Sequence, residues 1–371
     1  MSLKQRFDIS EIARNFQIFG DFLNAEPTGA GHINDTFVSC FKQAGTPVRF
    51  IHQRINHEVF KDPITLMDNL HRVTKHMKRK LLERNEEEVS RKTLTVIPSL
   101  DGTPYHQDLK GNFWRTFLFI EKAQTFQAVQ SYEQAFEAGK SFGHFQAVLD
   151  DLPSPRLIET IPDFHNTAKR FRALEKAVNR DACNRAKSCR REIDFVLNRT
   201  AESTILIQAH HDGRIPERIT HNDTKFNNLM LDDETGLGIC ILDLDTVMPG
   251  LSLYDFGDMV RTTTSPAEED EQDLSKVIMQ MPMFEALVKG FLESIRDMLT
   301  PTEIEYLAFS GRLITIELGA RFLTDFLEGD VYFRTHRECH NLDRARVQFK
   351  LVESMESQLD EMEQVVKAAV S

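Results

Sequence analysis

"ITHNDTKFNNLML", residues 219–231, is the stretch whose reading decides the chain. A β-branched pair, Ile219 and Thr220, runs straight into His221, Asn222 and Asp223, and Asn227 and Asn228 precede an apolar run. A buried strand avoids such a density of polar groups, because each must find a hydrogen-bond partner once it leaves water. The segment therefore reads as a strand that ends in a polar loop and resumes at Leu229. "DDETGL" (232–237) then supplies turn residues, and "GICIL" (238–242) returns as a second strand that delivers Asp243. A hairpin brings the chain back to its start, so Asp243 is expected beside Asp223 and Asn228.

Two carboxylates and an amide oxygen in one place suit a hard cation. Mg²⁺ takes oxygen ligands, usually one or two carboxylates plus waters and substrate phosphates. His221-x-Asp223-x-x-x-x-Asn228 is also the spacing of a kinase catalytic loop, where the Asp accepts the proton of the attacking hydroxyl and the Asn and a later Asp hold metal. On this reading Asp223 is catalytic, Asn228 and Asp243 are metal ligands, and Lys225 reaches the transferring phosphoryl group. His221 packs the loop. A plainer reading, short polar side chains capping a strand start, accounts for a bare His-x-Asp. It does not account for His-x-Asp-x-Lys-x-x-Asn followed by a hairpin and a second Asp. "YDFGDM" (254–259) spells a protein-kinase metal motif, but it lies too far past Asn228 and does not follow the returning strand directly. Asp255 and Asp258 are expected to anchor the start of the next helix, where carboxylates are favoured.

Upstream of this island the pattern changes character. Residues 7–20 carry apolar positions at helical spacing, and 46–56 alternate as a strand. Asp62 and Pro63 open a helix over 62–84, with Leu66, Leu70, Val73 and Met77 on one face. Residues 92–100 and 113–121 read as strands joined by "DGTPY" (101–105). Beyond about residue 121 the periodicity is helical, over 131–149, much of 167–202 and 347–370. The expected fold class is α+β, with an antiparallel-sheet lobe with one helix over 1–121 and a mostly helical lobe, holding a small β-hairpin insert, over 122–371.

The bulk numbers narrow the function. At 371 residues, 41% hydrophobic and 27% charged, the chain has the composition of a globular protein with a sizeable core. A net charge of -12 repels nucleic acid and anionic membranes, so neither is an expected partner. Five cysteines without Cys-x-x-Cys argue for a reducing compartment and against a disulfide framework or zinc site. No apolar leader and no window long enough to span a bilayer is visible, so a cytoplasmic location is expected.

The island resembles the aminoglycoside phosphotransferase and choline kinase superfamily. That family's pattern is His-Gly-Asp-x-x-x-x-Asn, then Ile-Asp at a strand end, then Gly-Asp-x-x-x-Asp. Here the pieces read "HNDTKFNN" (221–228), "ILDLDT" (241–246) and "MPGLSLYDFGD" (248–258). Asn222 stands for the usual Gly, and Pro249-Gly250 departs from Gly-Asp. "GAGHINDTF" (29–37), "FIHQRIN" (50–56), "VFKDP" (59–63), "DLDTVMPG" (243–250) and "ELGARFLTDFLEGDVYF" (317–333) are similar to bacterial N-acetylhexosamine 1-kinases.

The resemblance implies a protein-kinase-like bilobal fold, ATP and Mg²⁺ as cofactors, and a hexosamine phosphorylated at its anomeric hydroxyl. ATP would lie between the lobes, its adenine against the backbone near Glu121 and Ala123, with Gly29 and Gly31 in the loop over its phosphates. "FIHQRIN" has no lysine where kinases place the one that grips the α- and β-phosphates. Arg54 is the nearest cation, with Asp68 its candidate partner; turned outward, it would be a surface residue instead. Asp245, Arg321, Asp330 and Tyr332 are the candidate sugar ligands, set against the plainer expectation that Arg321 and Asp325 form an i,i+4 ion pair. Two alternatives remain open from the sequence. One is a relative acting on choline, homoserine, methylthioribose or an aminoglycoside; the other is an idle nucleotide-binding module.

Overall fold

Alternation builds the first lobe. In the computed structural model, which describes residues 7–28 and 33–371, strands β1 (Asp21–Pro27), β2 (Asp35–Gln43), β3 (Thr46–Arg54), β4 (Val96–Ile97), β5 (His106–Gln107) and β6 (Phe113–Leu118) form one antiparallel sheet. Its order is β1-β2-β3-β6-β4, with β5 also on β6. One face buries Phe16, Phe37 and Trp114 with the short helix α1 (Ile9–Ala13). His52 is buried on that face too, between Ser39 Oγ at 2.7 Å and Thr116 Oγ1 at 2.8 Å. The opposite face carries Ile51, Gln53 and Arg115 towards the second lobe.

Helix α2 (Pro63–Glu83) joins the two halves. Asp62 caps it by accepting from Thr65 N at 3.1 Å, Pro63 sits in its first turn, and Leu66, Met67, Leu70, Val73 and Met77 are buried. The same apolar cluster continues into the helical lobe through Phe142, Phe256 and Phe291. That lobe is built on α3 (Tyr132–Leu149), α4 (Thr167–Arg180), α5 (Ser252–Thr263), α6 (Met281–Ile295), α7 (Leu307–Glu328), α8 (His340–Ser357) and α9 (Leu359–Val370). Between them lie β7 (Ala123–Gln124), β8 (Arg218–Thr220), β9 (Leu229–Asp232), β10 (Gly238–Ile241) and β11 (Met248–Gly250). They form a β10-β9-β7 sheet and a β8–β11 pair.

Several expected elements are shorter. The helix expected over 7–20 stops at Ala13, because Gln17 N donates to Pro98 O at 2.8 Å and Phe16 is tucked beneath the sheet. Only Val96 and Ile97 of 92–100 pair as strand. Much of 167–202 is helical, as expected, but in pieces, with a break at Asp181, whose backbone is left-handed (φ 40°). Its carboxylate instead accepts from the backbone of Arg185 and Ala186, at 2.8 and 3.0 Å. No helix among the described residues is long and apolar enough to cross a membrane.

Candidate active site

Thr220 ends β8, and the next backbone turn is one that most side chains resist. Asn222 sits at φ 65°, a left-handed conformation that Asn tolerates better than bulkier residues. This is the physical content of the Gly-to-Asn exchange in the loop. The Asn222 side chain also holds the turn, donating to Thr220 O at 3.2 Å and Thr246 O at 2.9 Å. Asp255, fully buried in the first turn of α5, accepts from His221 N at 2.8 Å and Asn222 N at 2.7 Å. Gln146 Nε2 donates to it at 2.6 Å. Asp255 was expected to anchor its own helix; it anchors the polar loop instead, because two loop amides point at it.

Buried His221 has Nε2 at 2.8 Å from Leu242 O and meets the edges of Phe142 and Phe145. It ties the loop to the returning strand. Leu242 N donates to Asn228 O at 2.8 Å, so the next residue, Asp243, arrives beside Asn228. Asn228 Nδ2 donates to Asp223 O at 2.9 Å and Oδ2 at 3.3 Å, which leaves its Oδ1 to accept elsewhere. Lys225 Nζ lies 3.1 Å from Asp223 Oδ1. The structure thus brings Asp223, Lys225, Asn228 and Asp243 together.

Their charges are set by one another. Burial raises the Asp223 carboxyl, but the charges of Lys225, His221 and Arg261 outweigh it and leave the group below its ordinary value. Asp223 in turn holds the Lys225 ammonium above its ordinary value, with Glu269 and Asp258 adding to the effect. Asp243 is pushed up to about 6 by burial and by the neighbouring carboxylates Asp245 and Asp223. Among the described residues no three His, Cys, Asp or Glu side chains close into a metal cage. The donor set is two carboxylates and one amide oxygen, all hard ligands and too few to complete a shell. That suits a Mg²⁺ that keeps waters and substrate phosphates, and a dication would relieve the crowding on Asp243.

The remaining candidates fall in different places. Gly29 and Gly31 lie outside the described residues. Arg54 shares the face of β3 that carries His52, donates to Asp35 at 2.7 Å and lies over the ring of Phe7. It therefore turns away from the second lobe, and Asp68, exposed on α2, is not its partner. The expected phosphate role for Arg54 does not fit this register. Glu121 pairs with Arg49; Arg91 occupies the carbonyls of Glu121 and Lys122, at 3.1 and 3.0 Å; Ala123 is in β7 against Asp232.

Asp245 is not open to a sugar: Arg115 takes both its oxygens, and Asn34 Nδ2 adds a bond at 2.8 Å. Asp330 is likewise held, by Arg185 at 2.6 Å and Asn341 at 2.9 Å. Asp325 does not pair with Arg321. It accepts from the backbone of Val331, Tyr332 and Phe333 at 2.8–2.9 Å and so folds the loop after α7. Arg321 lies over the rings of Phe164 and Phe333, at 5.2 and 5.6 Å, and Tyr332 is exposed beside Phe333.

Two residues escaped the sequence reading. Arg115 sits between Trp114 and Thr116, whose side chains face the outer core; alternation alone puts Arg115 on the opposite face. Arg170 donates to Phe164 O at 2.8 Å, and its Nε is buried without a partner among the described residues. Burial and the nearby Arg321 both hold its guanidinium below the ordinary value. This cluster adjoins the polar loop, because His165 bridges Asn222 O at 3.1 Å and Glu317 at 2.9 Å, one turn before Arg321.

Known proteins resemble this chain in family and in fold. A family model described as "Phosphotransferase enzyme family" matches residues 65–278, more than half of the chain. An aminoglycoside phosphotransferase from Alicyclobacillus acidocaldarius superposes with a TM-score of 0.60 at 11% identity, covering 99% of this chain and 100% of that one. A microcompartment-associated aminopropanol kinase gives 0.55 at 13% identity, covering 96% and 99%. A choline kinase from Cryptosporidium parvum gives 0.54 at 14%, covering 97% and 98%. These likenesses show the bilobal α+β fold.

Proposed function

The chain belongs to the phosphotransferase enzyme family, and from that premise we propose that it transfers the γ-phosphoryl group of ATP to the anomeric hydroxyl of an N-acetylhexosamine. The observation that carries the kinase part is the loop pinned by Asp255, which sets Asp223 and Lys225 against Asn228 and Asp243. Asn228 Oδ1 and the Asp243 carboxylate would hold Mg²⁺. Bound magnesium-nucleotide supplies the phosphoryl group and neutralises its charge. Asp223, held below its ordinary value, stays ionised at neutral pH, so it orients the acceptor hydroxyl and takes its proton. Lys225, cationic beside it, stabilises charge on the transferred group.

The acceptor class rests on the Arg170–Arg321 cluster and its aromatic walls, Phe164 and Phe333. Two neighbouring guanidiniums repel choline-like or polyamine acceptors and offer donors to hydroxyl and carbonyl oxygens. The apolar walls suit a sugar face. Asp258, whose Oδ2 is buried without a partner, lies within charge reach of Lys225 and supplies an acceptor for a sugar hydroxyl.

The test is ADP release with Mg-ATP and a panel of GlcNAc, GalNAc, choline, ethanolamine and an aminoglycoside. A sugar 1-phosphate from the hexosamines alone is the expected result. Turnover confined to the cationic acceptors would overturn the acceptor class, and turnover with none would overturn the acceptor set entirely.

A further inference from the structure

With Arg54 turned outward, the cation that β3 carries on the face of Ile51 and Gln53 is Arg49, and Glu121 holds it. Of the three arginines on β3 and β6, Arg49 is tied to Glu121 near the linker and Arg54 to Asp35. Arg115 carries its guanidinium to the catalytic lobe. Only 2% exposed, it donates through Nε to Gln53 Oε1 at 2.9 Å and through Nη2 to Asp245 Oδ2 at 3.0 Å, with Nη1 on Asp245 Oδ1. Asp245 is two residues past Asp243, and the charge of Arg115 is felt at Asp243 itself. Asn34 joins the same carboxylate at 2.8 Å, from just beyond the glycine loop expected over the phosphates.

We propose that Arg115 binds the phosphate chain of the nucleotide from the sheet lobe, with Asp245 as the carboxylate that orients its guanidinium. This rests on the reading of the chain as a nucleotide-dependent phosphotransferase. Three features carry it. Gln53 and Arg115 are paired residues of β3 and β6, so Arg115 occupies, one strand over, the cleft face on which a β3 cation belongs. A guanidinium presents five donors in a planar fork; Gln53 and Asp245 engage three, and Met67 Sδ, a weak acceptor, lies 3.9 Å from Nη1. Two N–H groups are thus left without an oxygen acceptor among the described residues, and these are the donors we assign to phosphate oxygens. Finally, a desolvated ion pair is weak as a stability device, since an apolar pair of like volume does as well or better. Its position between lobes and beside the metal ligands gives it another use.

The test compares binding of Mg-ADP and of adenosine to the full chain by calorimetry for Arg115→Gln, Arg115→Lys, Asp245→Asn and the double Arg115→Gln/Asp245→Asn. The double variant removes the pair without leaving an orphan buried charge, so it covers the case in which a single variant fails to fold. The expected result is a tenfold or greater loss of Mg-ADP affinity in Arg115→Gln and in the double variant, with adenosine affinity within twofold. KM for ATP should rise while KM for the acceptor stays, and Arg115→Lys should recover part of the loss. A double variant that binds Mg-ADP like the unmodified protein overturns the proposal, as does an equal loss for adenosine and Mg-ADP. If the unmodified protein itself fails to bind Mg-ADP, the phosphotransferase reading fails first and this proposal with it.

Discussion

Asp243 is a carboxyl group poised between its two protonation states. Burial, Asp245 and Asp223 push it up to about 6, above the ordinary Asp value. The sign follows: the fold favours the protonated form, that contribution is full below about pH 4, and it is lost as pH rises through 6. At pH 8 the ionised group opposes the metal-free fold. Asp243→Asn is therefore expected to stabilise the metal-free protein at pH 8 by about 2 kcal/mol, with little change at about pH 3.5, and to abolish stabilisation by Mg-ADP. Thermal denaturation at the two pH values, with and without Mg-ADP, checks both parts. Asp223→Asn should lower turnover by about 10²–10⁴-fold while Mg-ADP affinity stays within a few-fold, as stopped assays and calorimetry would show. The residues of this loop were legible because the pattern is local: His221 to Asn228 lie on one polar segment that only a loop accommodates. Arg54 was misplaced because period-two alternation defines two faces without saying which one meets the cleft. Asp245 and Asp330 were legible as carboxylates, but the arginines that occupy them lie 130 and 145 positions away in sequence.

Elements hold the loop by close approach as well as by hydrogen bonds. Gly257, the glycine of the misleading Asp-Phe-Gly, is where α5 crosses α7: a Cβ there would stand 2.4 Å from Ser310 O and 2.8 Å from Ile314 Cγ1. Gly139 and Gly290 make the same contact between α3 and α6, where added Cβ atoms would meet Leu287 O at 2.3 Å and Phe136 O at 2.0 Å. The tripeptide is thus a packing feature, and its first residue works at a distance by receiving the loop amides. Gly257→Ala is expected to cost about 2 kcal/mol or more through overpacking, and to lower kcat more than KM for ATP because α5 carries Asp255. Urea unfolding and initial-rate kinetics would read the two effects separately; an unchanged stability would refute the crossing argument. Helix α2 was legible because cap, proline and apolar period agree on one answer. The break at Asp181 was not, because the apolar period continues past it, and the reason for the break is a set of backbone hydrogen bonds to the Asp181 carboxylate.

At the scale of the molecule, charge is distributed against its own average. The chain carries a net -12, yet Arg170, Arg321 and Arg261 gather next to the polar loop, Arg261 buried against Asp258. Distant parts of the chain meet through side chains that no local pattern links: Arg115 to Asp245 between the lobes, His165 to Asn222 and Glu317 beneath the loop. The polar loop was therefore more legible than the proposed acceptor region, whose members come from α4, α7 and the loops around them. The basic cluster nevertheless makes a definite demand. If it receives the acceptor, removing one guanidinium should weaken acceptor binding without touching the nucleotide. Loss of a hydrogen bond from a charged donor is worth about 1.5–3 kcal/mol, or roughly 10- to 150-fold in affinity. Arg321→Gln should accordingly raise KM for the hexosamine by an order of magnitude or more and leave KM for ATP within twofold. Among the described residues Arg321 donates no side-chain hydrogen bond but lies over Phe164 and Phe333, so the amide keeps much of the packing and the fold should hold. Arg321→Glu should go further, losing hexosamine turnover and admitting choline or ethanolamine for the first time, because the repulsive charge is then inverted. Initial rates of ADP release against both acceptor classes, at fixed saturating Mg-ATP, measure the exchange. An Arg321→Glu enzyme that still prefers the hexosamine would place the acceptor elsewhere in the helical lobe.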